Sequence, residues 1–135
     1  MTLKYELTNN QHPIDARLFQ IRALRDIPSI GVKVGDLGGY IAHEGNLSQE
    51  GDCWVGGDAR VFENAHVSGN AHVFGLSRTY GNAEVLDAAQ VYGNAWVYGN
   101  ARVSGYARVY GRTLVYGGAI YGNDQIYGRT VFPII

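Results

Sequence analysis

From Gly51 to Tyr116 the chain repeats every six residues without an insertion. The eleven hexads read GDCWVG, GDARVF, ENAHVS, GNAHVF, GLSRTY, GNAEVL, DAAQVY, GNAWVY, GNARVS, GYARVY and GRTLVY. Gly usually opens the unit and Asn or Asp often follows. The third residue is Ala, Ser, Thr or Cys, and the fifth is Val in ten hexads and Thr in one. The fourth and sixth vary. Side chains of a strand alternate between its two faces, so the third and fifth positions share one face and the fourth and sixth share the other. The small residue and the Val therefore point inward. Gly and Asn at the first two positions suit a corner, because Gly adopts positive φ freely and Asn tolerates it.

A short strand and a corner every six residues close a three-sided coil of about 18 residues, and a hexad period is the signature of a parallel β-helix. Coils stacked at the usual strand separation of about 4.8 Å give, for roughly five coils, a prism on the order of 24 Å tall. Two weaker hexads, GYIAHE and GNLSQE, carry the phase back to Gly39. The phase slips by one residue in GGAIY and resumes at Gly122 with GNDQIY. An array of hairpins with Gly-Asn turns would space its turns by about 8–12 residues, and unbroken sixes argue against it. Collagen is excluded as well, since Gly does not recur every third residue.

Outward residues of an 18-residue coil align at i and i+18. The sixth position then gives one column of Phe62, Tyr80, Tyr98 and Tyr116 and a second of Phe74, Tyr92 and Tyr110, continued by Tyr127 across the slip. The third side carries Ser68, Leu86 and Ser104 instead. The fourth position gives Arg60, Arg78, Trp96 and Leu114 on the first side. It gives His66, Glu84 and Arg102, and His72, Gln90 and Arg108, on the others. Asn64, Asn82 and Asn100 line one edge as an amide ladder of the kind stacked strands support. Aromatic columns stabilise coil-on-coil packing by about 0.5–1.5 kcal/mol per ring pair. They also make an apolar stripe of the kind that marks contact sites, built from the Tyr, Trp and Arg enriched in binding hot spots.

Residues 1–38 lack the repeat and read as an N-terminal β cap, with strand-like runs at Lys4–Thr8 and Leu18–Leu24 covering one open edge. The repeat domain is assigned to residues 39–130, and the apolar tail to 131–135, Val-Phe-Pro-Ile-Ile. Net charge is −1 and the isoelectric point about 6.4, a balance that disfavours nucleic acid as a partner held by bulk charge. No apolar run is long enough to span a bilayer, the first ten residues lack a signal-peptide core, and the single cysteine, Cys53, forms no internal disulfide. A cytoplasmic protein with no membrane partner is the expectation.

Tyr5-Glu6-Leu7-Thr8, Ile21-Arg22-Ala23-Leu24-Arg25-Asp26, Gly35-Asp36-Leu37-Gly38-Gly39-Tyr40-Ile41 and Asn46-Leu47-Ser48-Gln49-Glu50-Gly51, followed by the hexads, resemble hexapeptide-repeat, left-handed β-helix proteins of enterobacteria and their phages. Such proteins are described as acyltransferases or polymer-forming proteins. The resemblance implies the left-handed coil, and the fold expected is an all-β, left-handed parallel β-helix of about five 18-residue coils with an N-terminal β cap. It says little about activity, because a fold does not determine function.

Hexapeptide acyltransferases place a catalytic His on or near a loop that leaves the coil, and here no loop interrupts residues 51–116. His66 and His72 sit in regular rungs, on different sides of one coil, where no cleft is expected and no shared metal ion is reachable. Thr79, Thr113 and Thr130 make no regular ladder of the ice-binding kind, and no phosphate-binding GxxxxGK loop occurs. The expectation is therefore no catalytic residue, no metal and no cofactor. The chain reads as an oligomeric interaction module, a dimer or trimer of itself, that also binds another protein complex. The contact residues expected are Phe62, Tyr80, Tyr98, Tyr116, Phe74, Tyr92, Tyr110, Tyr127 and Trp96, flanked by Arg60, Arg78, Arg102 and Arg108. With the phage resemblance, the specific form of this reading is an inhibitor of a host defence complex of the CRISPR type. The competing readings are a hexapeptide-type acyltransferase and a carbohydrate-binding solenoid that stacks Tyr on sugar rings.

Overall fold

A computed structural model of the protein, describing residues 3–131, is an all-β parallel solenoid of about five coils with two single-turn 3-10 helices. Each hexad supplies one short strand, and strands one coil apart pair in parallel. The first face contains Arg60–Val61, Arg78–Thr79, Trp96–Tyr98, Leu114–Tyr116 and Thr130–Val131. The second runs through Trp54–Val55, His72–Val73, Gln90–Val91, Arg108–Tyr110 and Gln125–Tyr127. The third has His66–Val67, Glu84–Val85, Arg102–Val103 and Ala119–Ile120. The expected 18 residues per coil are found through the centre, where Arg60 pairs with Arg78 and Arg78 with Trp96.

The interior is built as the alternation requires. Every fifth-position residue from Val55 to Val115 is buried, and so are the small third-position residues between Cys53 and Thr113. A buried Val contributes roughly 1.5–3 kcal/mol, so ten of them, divided over the three inner faces, supply much of the driving force. Corners take positive φ at the first position. Where Glu63 and Asp87 replace Gly there, at φ 56° and 57°, each carboxylate accepts the backbone N–H of the Gly one coil on, from Gly81 at 3.0 Å and Gly105 at 2.9 Å. Acidic residues tolerate the left-handed corner because their side chains find this partner.

The cap is a three-stranded addition to the first face. Strand β1 (Tyr5–Gln11) pairs antiparallel with β2 (Phe19–Ala23), β2 pairs antiparallel with β3 (Leu37–Ile41), and β3 pairs in parallel with the first-face strand at Arg60. Thus β3 is the adapter between an antiparallel cap and a parallel coil. It lies so close that a Cβ on Gly38 would stand 2.6 Å from the Val55 carbonyl, and one on Gly39 would stand 2.7 Å from that of Ala59.

Two features of the register differ from the hexad reading. The phase carried back to Gly39 places Ala42 and Ser48 at outward fourth positions, one full coil from Arg60 and His66. The observed partners are instead Tyr40 with Arg60, Ile41 with Val61 and Leu47 with Val67, a coil of 20 residues. The two additional residues widen the corner before Trp54. Lys4 occupies this corner: its buried ammonium donates to the carbonyls of Glu50 (3.3 Å), Gly51 (3.3 Å) and Cys53 (2.6 Å) and contacts Cys53 Sγ at 3.1 Å. At the other end a second slip follows the one at residues 117–121, since Leu114 pairs with Thr130, 16 residues on. Of the expected tail, only Val131 falls within the described residues; 132–135 lie outside them.

Candidate interaction faces

The two aromatic columns form as continuous ladders. On the first face the ring centroids of Phe62 and Tyr80 are 4.9 Å apart at 5°, and those of Tyr80 and Tyr98 are 5.0 Å apart at 4°. Tyr116 follows Tyr98 at 5.2 Å but tilts by 53°. On the second face Phe74, Tyr92, Tyr110 and Tyr127 step at 4.8, 5.1 and 5.3 Å, with interplanar angles of 8°, 5° and 18°. The ring spacing follows the rung spacing, because each ring is anchored to its own coil. The flanks of most rings are half-buried, while Tyr116 and Tyr127 at the last coil are 46% and 62% exposed. Burial, and then the neighbouring Tyr98, push the Tyr80 phenol above its ordinary pKa.

The third face shows what the fold itself needs. The N–H groups of Ser68, Leu86 and Ser104 reach the next coil at 2.9, 3.0 and 2.9 Å. Those of Phe62, Tyr80, Phe74 and Tyr92 do so at 3.0, 2.9, 2.9 and 2.9 Å. Coils therefore stack as closely without rings as with them.

The outward fourth position of the first face adds a row of Tyr40, Arg60, Arg78, Trp96 and Leu114. The Arg78 guanidinium lies over the Trp96 ring, 4.6 Å from its centroid, and Trp96 meets Tyr80 edge-on at 6.4 Å. Arg102 and Arg108 stand exposed on the third and second faces, so the four arginines expected to flank the columns divide over all three sides. The cap brings residues to this surface that hexad reasoning did not single out. Arg17 sits 5.9 Å from the Phe62 ring centroid, and His12 packs edge-on against Tyr40 at 4.8 Å. Their signal was absent because a contact between chain segments so far apart depends on how the cap docks. Tyr106 and Tyr121, 71% and 64% exposed, were also overlooked; Tyr106 was visible as a ring at a corner position where Asn or Asp is usual.

The histidines do not converge. His66 Nδ1 is 2.6 Å from the Gly45 carbonyl, and Glu84 lies one coil on in register. His43 accepts the Gly45 N–H at Nδ1 and donates from Nε2 to the Glu63 carbonyl at 2.8 Å. His72 lies against Phe74 at 4.2 Å, and burial lowers its pKa. Among the described residues no three His, Cys, Asp or Glu side chains are placed to hold a metal ion. The grooves on the surface are shallow, such as the one lined by Asn70, Asp87, Ala88, Gly105 and Tyr106. No helix among the described residues is long and apolar enough to cross a membrane.

The chain folds as a β-solenoid. A family model described as the YdcK beta solenoid repeat matches residues 89–105 and 95–111, which lie in the central coils. That match supports a solenoid family and is not specific to hexapeptide acyltransferases. No curated protein matches the chain.

Proposed function

We propose that the protein is a non-catalytic, oligomeric interaction module that presents its aromatic ladders, chiefly the first, as a contact surface. One observation carries this reading: the third face stacks its coils at the same hydrogen-bond distances with Ser68, Leu86 and Ser104 where the other faces carry rings. The rings exceed what coil stacking requires. A half-buried apolar stripe flanked by Arg and Trp has the composition of a binding hot spot. A rigid, flat surface of this kind suits a copy of itself, and a homo-oligomer is part of the proposal. The resemblance to phage proteins makes a host defence complex of the CRISPR type the first external partner to assay.

Light scattering tests the self-association directly. The native chain is expected as an oligomer, and the variant carrying Tyr80→Ser and Tyr98→Ser as a monomer with an unchanged β-sheet circular dichroism spectrum. An unchanged mass in the folded variant removes the first ladder as the self-association face.

A further inference from the structure

Among the described residues, two guanidinium groups on the first face, Arg60 and Arg78, form no ion pair. Arg60 and Arg78 are register partners in adjacent parallel strands, so their backbones are about 4.8 Å apart and their side chains leave the sheet on the same side. The ion pairs among the described residues are Arg17–Asp15, Arg22–Glu6 and Arg25–Asp52, and none involves this doublet. Neither guanidinium donates a hydrogen bond within the described residues. Arg78 is held in place by Trp96, and Arg60 is half-buried.

The surroundings sharpen the imbalance. Asp15 and Asp58 are the acids that act on Arg60, and Asp15 is engaged by Arg17 through two side-chain bonds at 3.0 and 2.8 Å. His12 lies close enough to be influenced by both arginines. Its Nδ1 accepts the N–H groups of Ile14 and Asp15 at 3.1 and 3.4 Å, so the neutral ring carries its proton on Nε2. Burial lowers the Arg60 pKa first and the adjacent Arg78 lowers it next, while Asp15 and Asp58 act in the opposite direction. Like charges in register are destabilising unless an anion joins them.

From this arrangement we infer that Arg60 and Arg78, with His12 beside them, form an anion subsite for the carboxylates of an acidic, aromatic-containing segment of a partner protein. The inference rests on the interaction reading above and names the chemistry of its partner. A carboxylate accepts two parallel bonds from a guanidinium fork, and Tyr40 and Trp96 of the same row, with Tyr80 of the adjacent ladder, offer apolar contact beside it. The chain as a whole carries a net charge of −1, so the attraction is local and suits a short acidic motif rather than a polyanion.

The probe is a fluorescein-labelled peptide of Glu, Gly and Phe, roughly ten residues and so about 33 Å long when extended, enough to lie along the prism. It is compared in anisotropy titrations at about 150 mM salt with its Glu→Gln counterpart and with oligothymidylate of similar length. The Glu peptide is expected to bind at least about tenfold more tightly than the Gln peptide. That preference is expected to vanish in the double variant Arg60→Gln with Arg78→Gln and to survive Arg102→Gln with Arg108→Gln. Arg78→Gln alone, at a site without hydrogen bonds of its own, serves should the double variant not fold. Equal binding of the two peptides, or an unchanged preference in either folded Arg60/Arg78 variant, overturns the inference. Tighter binding of oligothymidylate overturns it in favour of a phosphate site. A preference that persists in Tyr80→Ser with Tyr98→Ser but is lost with the arginines keeps the anion subsite and removes the ladder from the contact. The reverse pattern keeps the ladder and removes the subsite.

Discussion

Gly93 and Gly99 open consecutive hexads of the same coil and share a φ of 65°. They differ in what stands one coil above. A Cβ on Gly93 would lie 2.7 Å from the backbone nitrogen of Gly111, whereas one on Gly99 would meet nothing closer than 3.6 Å, because the phase slip at Gly117 and Gly118 displaces the next corner. Replacing either by Ala places a Cβ in the left-handed region, at about 1–2 kcal/mol. Gly93→Ala must in addition push two backbone corners apart, and overpacking of that kind costs roughly 1–3 kcal/mol. The totals are about 2–5 kcal/mol at Gly93 and about 1–2 kcal/mol at Gly99. For a chain of this length 1 kcal/mol corresponds to roughly 3–5 °C in Tm, so thermal unfolding followed by circular dichroism resolves the two. Gly93→Ala is expected to melt well below Gly99→Ala. Equal melting temperatures would refute the idea that close corner-to-corner contact, beyond backbone conformation, requires Gly at these sites.

Thr79 is the one fifth-position residue that is not Val in the regular hexads, and its hydroxyl is buried without a hydrogen-bond partner among the described residues. Thr79→Val should stabilise the protein by about 1–2 kcal/mol, read as a raised urea midpoint; a lowered midpoint would mean that the hydroxyl is satisfied in solution. Burial lowers the pKa of both His72 and His12 from the ordinary 6.5. Their contribution is present in full above that value. As the pH falls through and below about 6.5 the unfolded chain binds protons first, and stability declines. His72→Gln should flatten this decline in urea titrations, and an unchanged slope would show that His72 titrates normally.

Much of the architecture was legible in the chain because period and alternation are local properties. Val or Thr at every fifth position and small residues at every third named the core, and the i, i+18 rule named both ladders up to Tyr116 and Tyr110, with Tyr127 following from the resumed phase beyond the slip. The first coil was not legible. Moving a strand by two residues preserves its inward and outward parity, so Ile41 and Leu47 point inward in either register, and only the pairing of the folded strands, with Lys4 filling the corner, reveals the additional residues. Trp54 illustrates the same limit. It occupies an outward position yet is 2% exposed, because β3 lies over it. At the candidate site the Arg60, Arg78 and Trp96 column was visible in the repeat. The approach of His12 and Arg17 was not, since it depends on a cap that the repeat does not encode.

The contrast among the three faces is tested most directly by placing one charge on each: Tyr98→Glu on the first, Tyr92→Glu on the second and Leu86→Glu on the third. All three positions are half-buried and close their hexads. Molar mass is measured by light scattering for each folded variant beside the native chain. The expected result is an oligomer for the native chain and Leu86→Glu, and a smaller species for Tyr98→Glu. The Tyr92→Glu mass reports whether the second ladder joins the contact. A monomeric native chain, or loss of the oligomer in Leu86→Glu with retention in Tyr98→Glu, would contradict the central claim that the aromatic ladders are contact surfaces through which the protein assembles.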